Sequence, residues 1–237
     1  MTPQELKNSI LQLAIQGKLV EQRPEEGTAE ELYQQIQKEK QELIKAGKMK
    51  KEKPLPEITE DEIPFEIPES WKWVRLGNIG YTNIGLTYNP KDISDEGTIV
   101  LRSSNIQNGQ MAYSDIIRVK IDIPDSKKCQ KGDILICVRN GSKRLVGKAA
   151  IIDADGMSFG AFMAIFRSKC NKYILYFISS LYFHNSLLGD TGTTTINQIT
   201  QDILKNVKIP LPPLAEQHRI VVKIEELLPL CEKLKEQ

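Results

Sequence analysis

Pro54, Pro56, Pro64 and Pro68 stand among acidic residues, behind a run of lysines, between positions 48 and 70. Proline removes a backbone donor and pushes the residue before it out of the helical region. No helix or sheet is expected to cross this stretch, which reads as an extended linker ending at Ser70. The chain changes period across it. On the N-terminal side, Thr2, Pro3 and Glu5 form a capping box with proline at the first helical position. Leu6, Ile10, Leu13 and Ala14 then recur at helical spacing up to a stop at Gly17. After a break at Arg23-Pro24, a second capping box, Thr28 with Glu31, opens a helix through about Ala46, with Gly47 behind it. Leu32, Tyr33, Ile36 and Leu43 give it a thin apolar stripe, so it needs a partner or lies on a surface.

From Trp71 the period shortens. Strands are expected at 73–76, 99–106, 116–120, 133–139, 148–152 and 163–167, with turns such as Asn108-Gly109 and Asp155-Gly156 between them. The most apolar window, residues 173–188, is interrupted by Ser179, Ser180, His184, Asn185 and Ser186. It is too short and too polar to span a bilayer and reads as a buried helix over 172–188. A Gly/Thr-rich loop at 189–195, a short helix near 201–205 and an extended stretch at 207–210 close this part. Pro212-Pro213 then opens a last helix. Leu214, Gln217, Val221, Ile224, Leu228 and Cys231 form a coiled-coil-like seam, with a kink or break expected at Pro229. The fold class is α+β: one mixed α/β domain over 71–209, flanked by helical segments at 1–47 and 210–237 that pack as long antiparallel, coiled-coil-like helices.

Charge is uneven. Residues 1–70 carry 10 basic and 15 acidic side chains (−5), residues 71–209 carry 18 and 11 (+7), and residues 210–237 carry 4 and 5 (−1), which together give the net +1. A basic globular middle suits a polyanionic partner. Cys129, Cys137, Cys170 and Cys231 are far apart with no zinc spacing, and no basic-then-apolar leader opens the chain. Reduced thiols and a cytoplasmic location are expected. Nucleotide-binding glycine loops, a GxSxG elbow and an Asn-Pro-Pro-Tyr type methyltransferase motif are all absent from the sequence. Of the two histidines, His184 reads as a core or rim residue and His218 as solvated or interfacial. No catalytic residue, metal site or cofactor site is therefore expected in this chain.

The segment from Ile209 to Leu228, IPLPPLAEQHRIVVKIEELL, strongly resembles the beginning of a conserved helical region in specificity subunits of type I restriction-modification systems. Leu6–Val20 resembles the end of such a region, and Ile67–Gly77 the start of a target recognition domain. Leu101–Ile106, Gly132–Ile136, Asn140–Ser142, Leu145–Lys148 and Gly192–Asn197 also fit. The family pattern has two recognition domains separated by two helical regions; this chain has one. It is either a part of a longer subunit or a half-subunit that pairs with itself through its helices.

The resemblance implies that the 71–209 domain reads one half of a split site in double-stranded DNA. Methyltransferase subunits would dock on the helices, and a translocating restriction subunit would join the complex. S-adenosylmethionine, ATP and magnesium would sit on those partners and no membrane would be involved. A protein-interaction adaptor and a stand-alone methyltransferase remain alternatives. Candidate DNA-contacting residues follow from the side chains that read base edges and grip phosphates. They are Arg102, Ser103, Ser104 and Asn105 at a strand end, and Arg139, Asn140, Ser142, Lys143 and Arg144 in the most basic loop, where phosphate contact is expected. Thr193, Thr194, Thr195, Asn197 and Gln198 complete the set from the Gly/Thr-rich loop. Lys127, Lys128 and Lys131 read as a solvated face.

Overall fold

A computed structural model of the protein describes residues 2–187 and 198–233. The elements run α1 (Pro3–Ile15), α2 (Ala29–Lys45), β1 (Lys72–Arg75), α3 (Leu76–Ile79), β2 (Tyr81–Ile84), β3 (Ile93–Ser94) and β4 (Thr98–Leu101). Next come β5 (Ile106–Gln107), β6 (Gln110–Met111), β7 (Arg118–Val119), β8 (Ile134–Cys137), β9 (Ala149–Ile151), β10 (Ser158–Phe159) and β11 (Met163–Arg167). The chain continues with α4 (Asn171–Ile178), α5 (Leu181–Ser186), α6 (Gln201–Asn206), β12 (Lys208–Leu211) and α7 (Leu214–Lys233). They fall into two compact units, one taking residues 1–79, 180–182 and 206–237 and the other 80–179 and 183–205.

In the first unit α1 packs on α7. Both expected capping boxes form: Thr2 Oγ1 accepts from the Glu5 amide at 3.2 Å while Glu5 accepts from the Thr2 amide at 2.7 Å, and Thr28 and Glu31 do the same. Gly17 and Gly47 take φ values of +69° and +70°, the left-handed conformation that ends each helix at little cost to glycine. The buried face of α1 is shifted from the expected stripe, while α7 keeps Gln217, Val221, Ile224 and Cys231 of its expected seam. α1 buries Ile10, Leu11, Ala14 and Ile15, and Leu13 is exposed; α7 buries Glu216, Gln217, Ile220, Val221, Ile224 and Cys231, and Leu214 is exposed. Apolar spacing allowed two overlapping stripes on α1, and the partner surface selected one. On α2 burial stops at Ile36, leaving Leu43 exposed. α7 also runs through Pro229 without the expected break. The exposed ring forgoes one backbone bond, and the turns on both sides carry the helix past it.

β1 and β12 form an antiparallel pair from Lys72↔Leu211 to Arg75↔Lys208. The proline-rich stretch has one short 3-10 turn, Glu60–Glu62, and is otherwise irregular, as expected. It is also pinned: buried Arg75 donates from Nε to the Pro56 carbonyl at 2.8 Å and from Nη2 to Glu62 at 3.1 Å.

The second unit holds two four-stranded sheets, β2-β11-β8-β9 and β10-β4-β7-β3, and a β5–β6 hairpin. β8 is buried at every position, the pattern of a central strand, and β11 pairs with it from Met163↔Cys137 to Phe166↔Ile134. Leu101, Ile106, Leu135, Cys137, Phe159, Met163 and Ile165 build the core between these strands. The β5–β6 turn is Asn108-Gly109, both with positive φ, the geometry such a dipeptide favours. At Gly85 a Cβ would meet the Gly160 carbonyl oxygen at 2.1 Å, so only glycine admits this close backbone approach. Two expected elements divide. The strand expected over 99–106 stops at Leu101, where the chain enters a 3-10 turn, Ser103–Asn105. The helix expected over 172–188 is two helices, because Ser179 Oγ turns back to the Leu175 carbonyl at 2.9 Å and the chain breaks at buried Ser180.

Candidate nucleic-acid interface

The turn after β4 is organised by Asn105. This residue is fully buried: its Oδ1 accepts the Arg102 amide at 2.8 Å, and its Nδ2 donates to the carbonyls of Ala112 at 3.0 Å and Asp115 at 2.8 Å. Both amide donors and the side-chain oxygen bond within the chain and the residue is buried, so Asn105 is placed as the support of the turn and not at its exposed face. Arg102 also turns to this support, donating from Nη2 to Asp115 at 2.8 Å, so its charge is met locally. Ser104 Oγ and Arg102 Nε are buried with no hydrogen-bond partner among the described residues.

Ser103 faces the other way. Its Oγ accepts from Asn140 Nδ2 at 3.2 Å and its carbonyl from Lys148 Nζ at 3.3 Å. The 102–105 turn and the basic loop after β8 therefore meet. That loop is locally held, since Asn140 Oδ1 accepts the Ser142 amide at 2.9 Å, after which Lys143–Leu145 makes a 3-10 turn. Ser142, Lys143 and Arg144 are exposed. Arg139 at the root of the loop is exposed too, with its guanidinium carbon 5.2 Å from the centroid of the Phe162 ring. Arg139 bridges Gln198, which is exposed. Three of the expected segments thus converge, at Ser103, at 139–144 and at Gln198. Thr193, Thr194, Thr195 and Asn197 lie outside the described residues.

Several other cations of this unit are engaged. Lys120 pairs with Glu96, Lys128 with Asp125 and Arg167 with Asp133, while Arg118 donates to the Gly97 carbonyl. Lys127 is not the solvated lysine expected: it is partly buried, its Nζ donates to the Ile84 carbonyl and to Asn83 Oδ1, and burial pushes its pKa down. Among the described residues, Arg139, Lys143 and Arg144 have no acidic partner, so uncompensated positive charge gathers in one loop beside Lys148. Lys148 and Phe162 are the residues the sequence reading did not single out as contacts. A lone lysine and a lone phenylalanine carry no local signature; their place beside the loop is set by β9 and β11.

All four cysteines are free and buried, and burial pushes the Cys129 thiol up to about 12. His184 is half-buried against Phe183, with its pKa pushed down by burial, and His218 is exposed. Among the described residues no group of three or more His, Cys, Asp or Glu could hold a metal ion, and no helix is long and apolar enough to cross a membrane.

The fold is one seen in subunits of type I restriction-modification systems. The crystal structure of the HsdS subunit from Thermoanaerobacter tengcongensis superposes with a TM-score of 0.58 at 23% identity, over 87% of this chain and 47% of that one. Residues 68–237 match the type I restriction modification DNA specificity domain, and the chain belongs to that family. The EcoAI specificity subunit of Escherichia coli is 35% identical over 240 residues, and the EcoEI specificity subunit of Escherichia coli is 32% identical over 251. These alignments take in 97% of this chain but only 40% and 41% of the relatives, so the chain spans well under half of each.

Proposed function

We propose that this chain is the DNA-reading part of a type I restriction-modification complex, a specificity subunit or one half of one, with no chemistry of its own. The observation that carries the reading is the convergence of Ser103, Asn140, Lys148, Arg139 and Gln198 around a loop whose Lys143 and Arg144 lack acidic partners among the described residues. Short polar side chains beside free cations are what a duplex requires, the former for base edges and the latter for phosphates. Residues 71–209 act as the target recognition domain for one half of a split site. The helices in 1–47 and 210–237 set the separation from a second reader and receive the methyltransferase subunits; a restriction subunit joins the complex. S-adenosylmethionine, ATP and magnesium belong to those partners, and the complex works in the cytoplasm. Family membership and the names of the relatives support this division of labour.

The test is a map of methylated motifs in the source genome with and without the gene. Loss of one split motif on deletion is the expected result. A palindromic motif then indicates two copies of this chain, and an asymmetric one a longer subunit with two different readers. An unchanged map in cells that express the partner subunits overturns the reading.

A further inference from the structure

The basic loop is not uniform, and the difference lies in how firmly each cation is held. Lys143 and Arg144 lie in an exposed turn, with no partner for their charged heads among the described residues. Arg139 is anchored three ways. Its amide donates to the Phe162 carbonyl at 3.1 Å, its backbone bridges Gln198, and its guanidinium lies over the Phe162 ring at 5.2 Å. That separation is within reach of a cation–π contact. Phe162 itself is 57% exposed, an unusual position for a phenylalanine whose neighbour Met163 is 1% exposed in the core. The ring's visible task is to hold the guanidinium.

A phosphate needs only positive charge, which a mobile lysine supplies. A guanine edge is well met by a planar donor pair, and an arginine whose guanidinium lies over an aromatic ring has fewer orientations to lose on binding. The matching partner is the O6 and N7 acceptor pair of guanine in the major groove. We propose that Arg139, oriented by Phe162, reads a guanine of the target, so that this pair determines one position of the recognised sequence while Lys143 and Arg144 grip the backbone. The proposal rests on the DNA-reading function above and assigns roles within it.

The test expresses the full subunit with its methyltransferase partners and maps methylated motifs for the wild type, Arg139→Ala, Arg139→Lys, Phe162→Leu and Lys143→Ala. Both Arg139 and Phe162 are exposed, so the fold is expected to survive, and circular dichroism checks it. Arg139→Ala is expected to relax one G·C position, lowering discrimination there by roughly tenfold or more, and Phe162→Leu to relax the same position less. Arg139→Lys keeps the charge but not the fork and is expected to relax that position too. Lys143→Ala should lower methylation at all sites alike with the motif unchanged. An intact motif in Arg139→Ala, with methylation lowered at all sites alike, overturns the proposal in favour of a phosphate contact. Relaxation at an A·T position overturns the guanine assignment, and an unchanged motif in Phe162→Leu removes Phe162 from it. If the wild type yields no motif with its partners present, the underlying DNA-reading function fails, and this proposal with it.

Discussion

Arg167→Met is expected to open the β8–β11 sheet far more than its position at a strand end suggests. Arg167 ends β11 and lays its fork on Asp133, just ahead of β8, with Nε to Oδ1 at 2.6 Å and Nη2 to Oδ2 at 2.7 Å. Asp133 is 1% exposed and its other bond comes from the Gln130 amide at 2.8 Å; the Arg167 side chain is 35% exposed. The two halves of the pair are therefore unequal. Removing the arginine leaves a buried carboxylate with one amide for company, and breaking a buried pair from that side costs about 3–5 kcal/mol. Asp133→Asn leaves an arginine that water can reach, and costs about 1–2 kcal/mol. The double change Asp133→Leu with Arg167→Met removes both charges and should recover much of the loss. The two tryptophans, Trp71 and Trp73, lie in the other compact unit, so indole fluorescence does not report on this sheet locally. Hydrogen exchange of peptides covering β8 and β11 sees it directly. The slowest amides should exchange roughly two to four orders of magnitude faster in Arg167→Met. Acceleration below about tenfold, or an equal effect from Asp133→Asn, refutes the argument from unequal burial.

Three further outcomes follow from single contacts. Asn105→Ala leaves the Ala112 and Asp115 carbonyls and the Arg102 amide without their partner, a loss of about 2–3 kcal/mol; peptides over 102–115 should lose exchange protection, and unchanged protection removes Asn105 as the support of the turn. Glu216 is buried, which lifts its carboxyl above the ordinary value of 4.5 against the opposing bonds from Trp71 Nε1 at 2.8 Å and Gln22 Nε2 at 2.6 Å. An acid with a raised folded pKa binds more protons folded than unfolded, so its contribution to stability falls as pH rises from 4.5 through the raised value. Relative to wild type, Glu216→Gln should therefore gain stability as pH rises from 4.5 through the raised value, read by urea unfolding on the tryptophans, and a difference that stays flat with pH contradicts the assignment. Cys129, buried and with its thiol pushed up to about 12, should resist alkylation at neutral pH until the protein unfolds; modification of the native chain within minutes would show that its burial is not maintained.

What could be read from the sequence was local. The capping boxes at Thr2 and Thr28, the left-handed stops at Gly17 and Gly47 and the Asn108-Gly109 turn depend on side chains within four positions of the backbone they serve, so the order of residues carries them. The proline-rich stretch and the resemblance around IPLPPLAEQ were legible for the same reason, as contiguous patterns. Which residues of the α1 stripe are buried was only partly legible, because spacing defines a helix's possible faces and the packing partner chooses among them. The candidate interface shows the same division. Composition marked 102–105 and 139–144 as polar loops, but only the fold turned Asn105 into its own turn and brought half-buried Ser103 to Asn140 across 37 positions of chain. Phe162 and Lys148 became neighbours of that loop through the pairing of β11 and β9 with β8. Local hydrogen bonding and chain stiffness are written in adjacent residues; the direction a polar side chain faces is set by contacts distant in sequence, and that is what the tertiary structure decided.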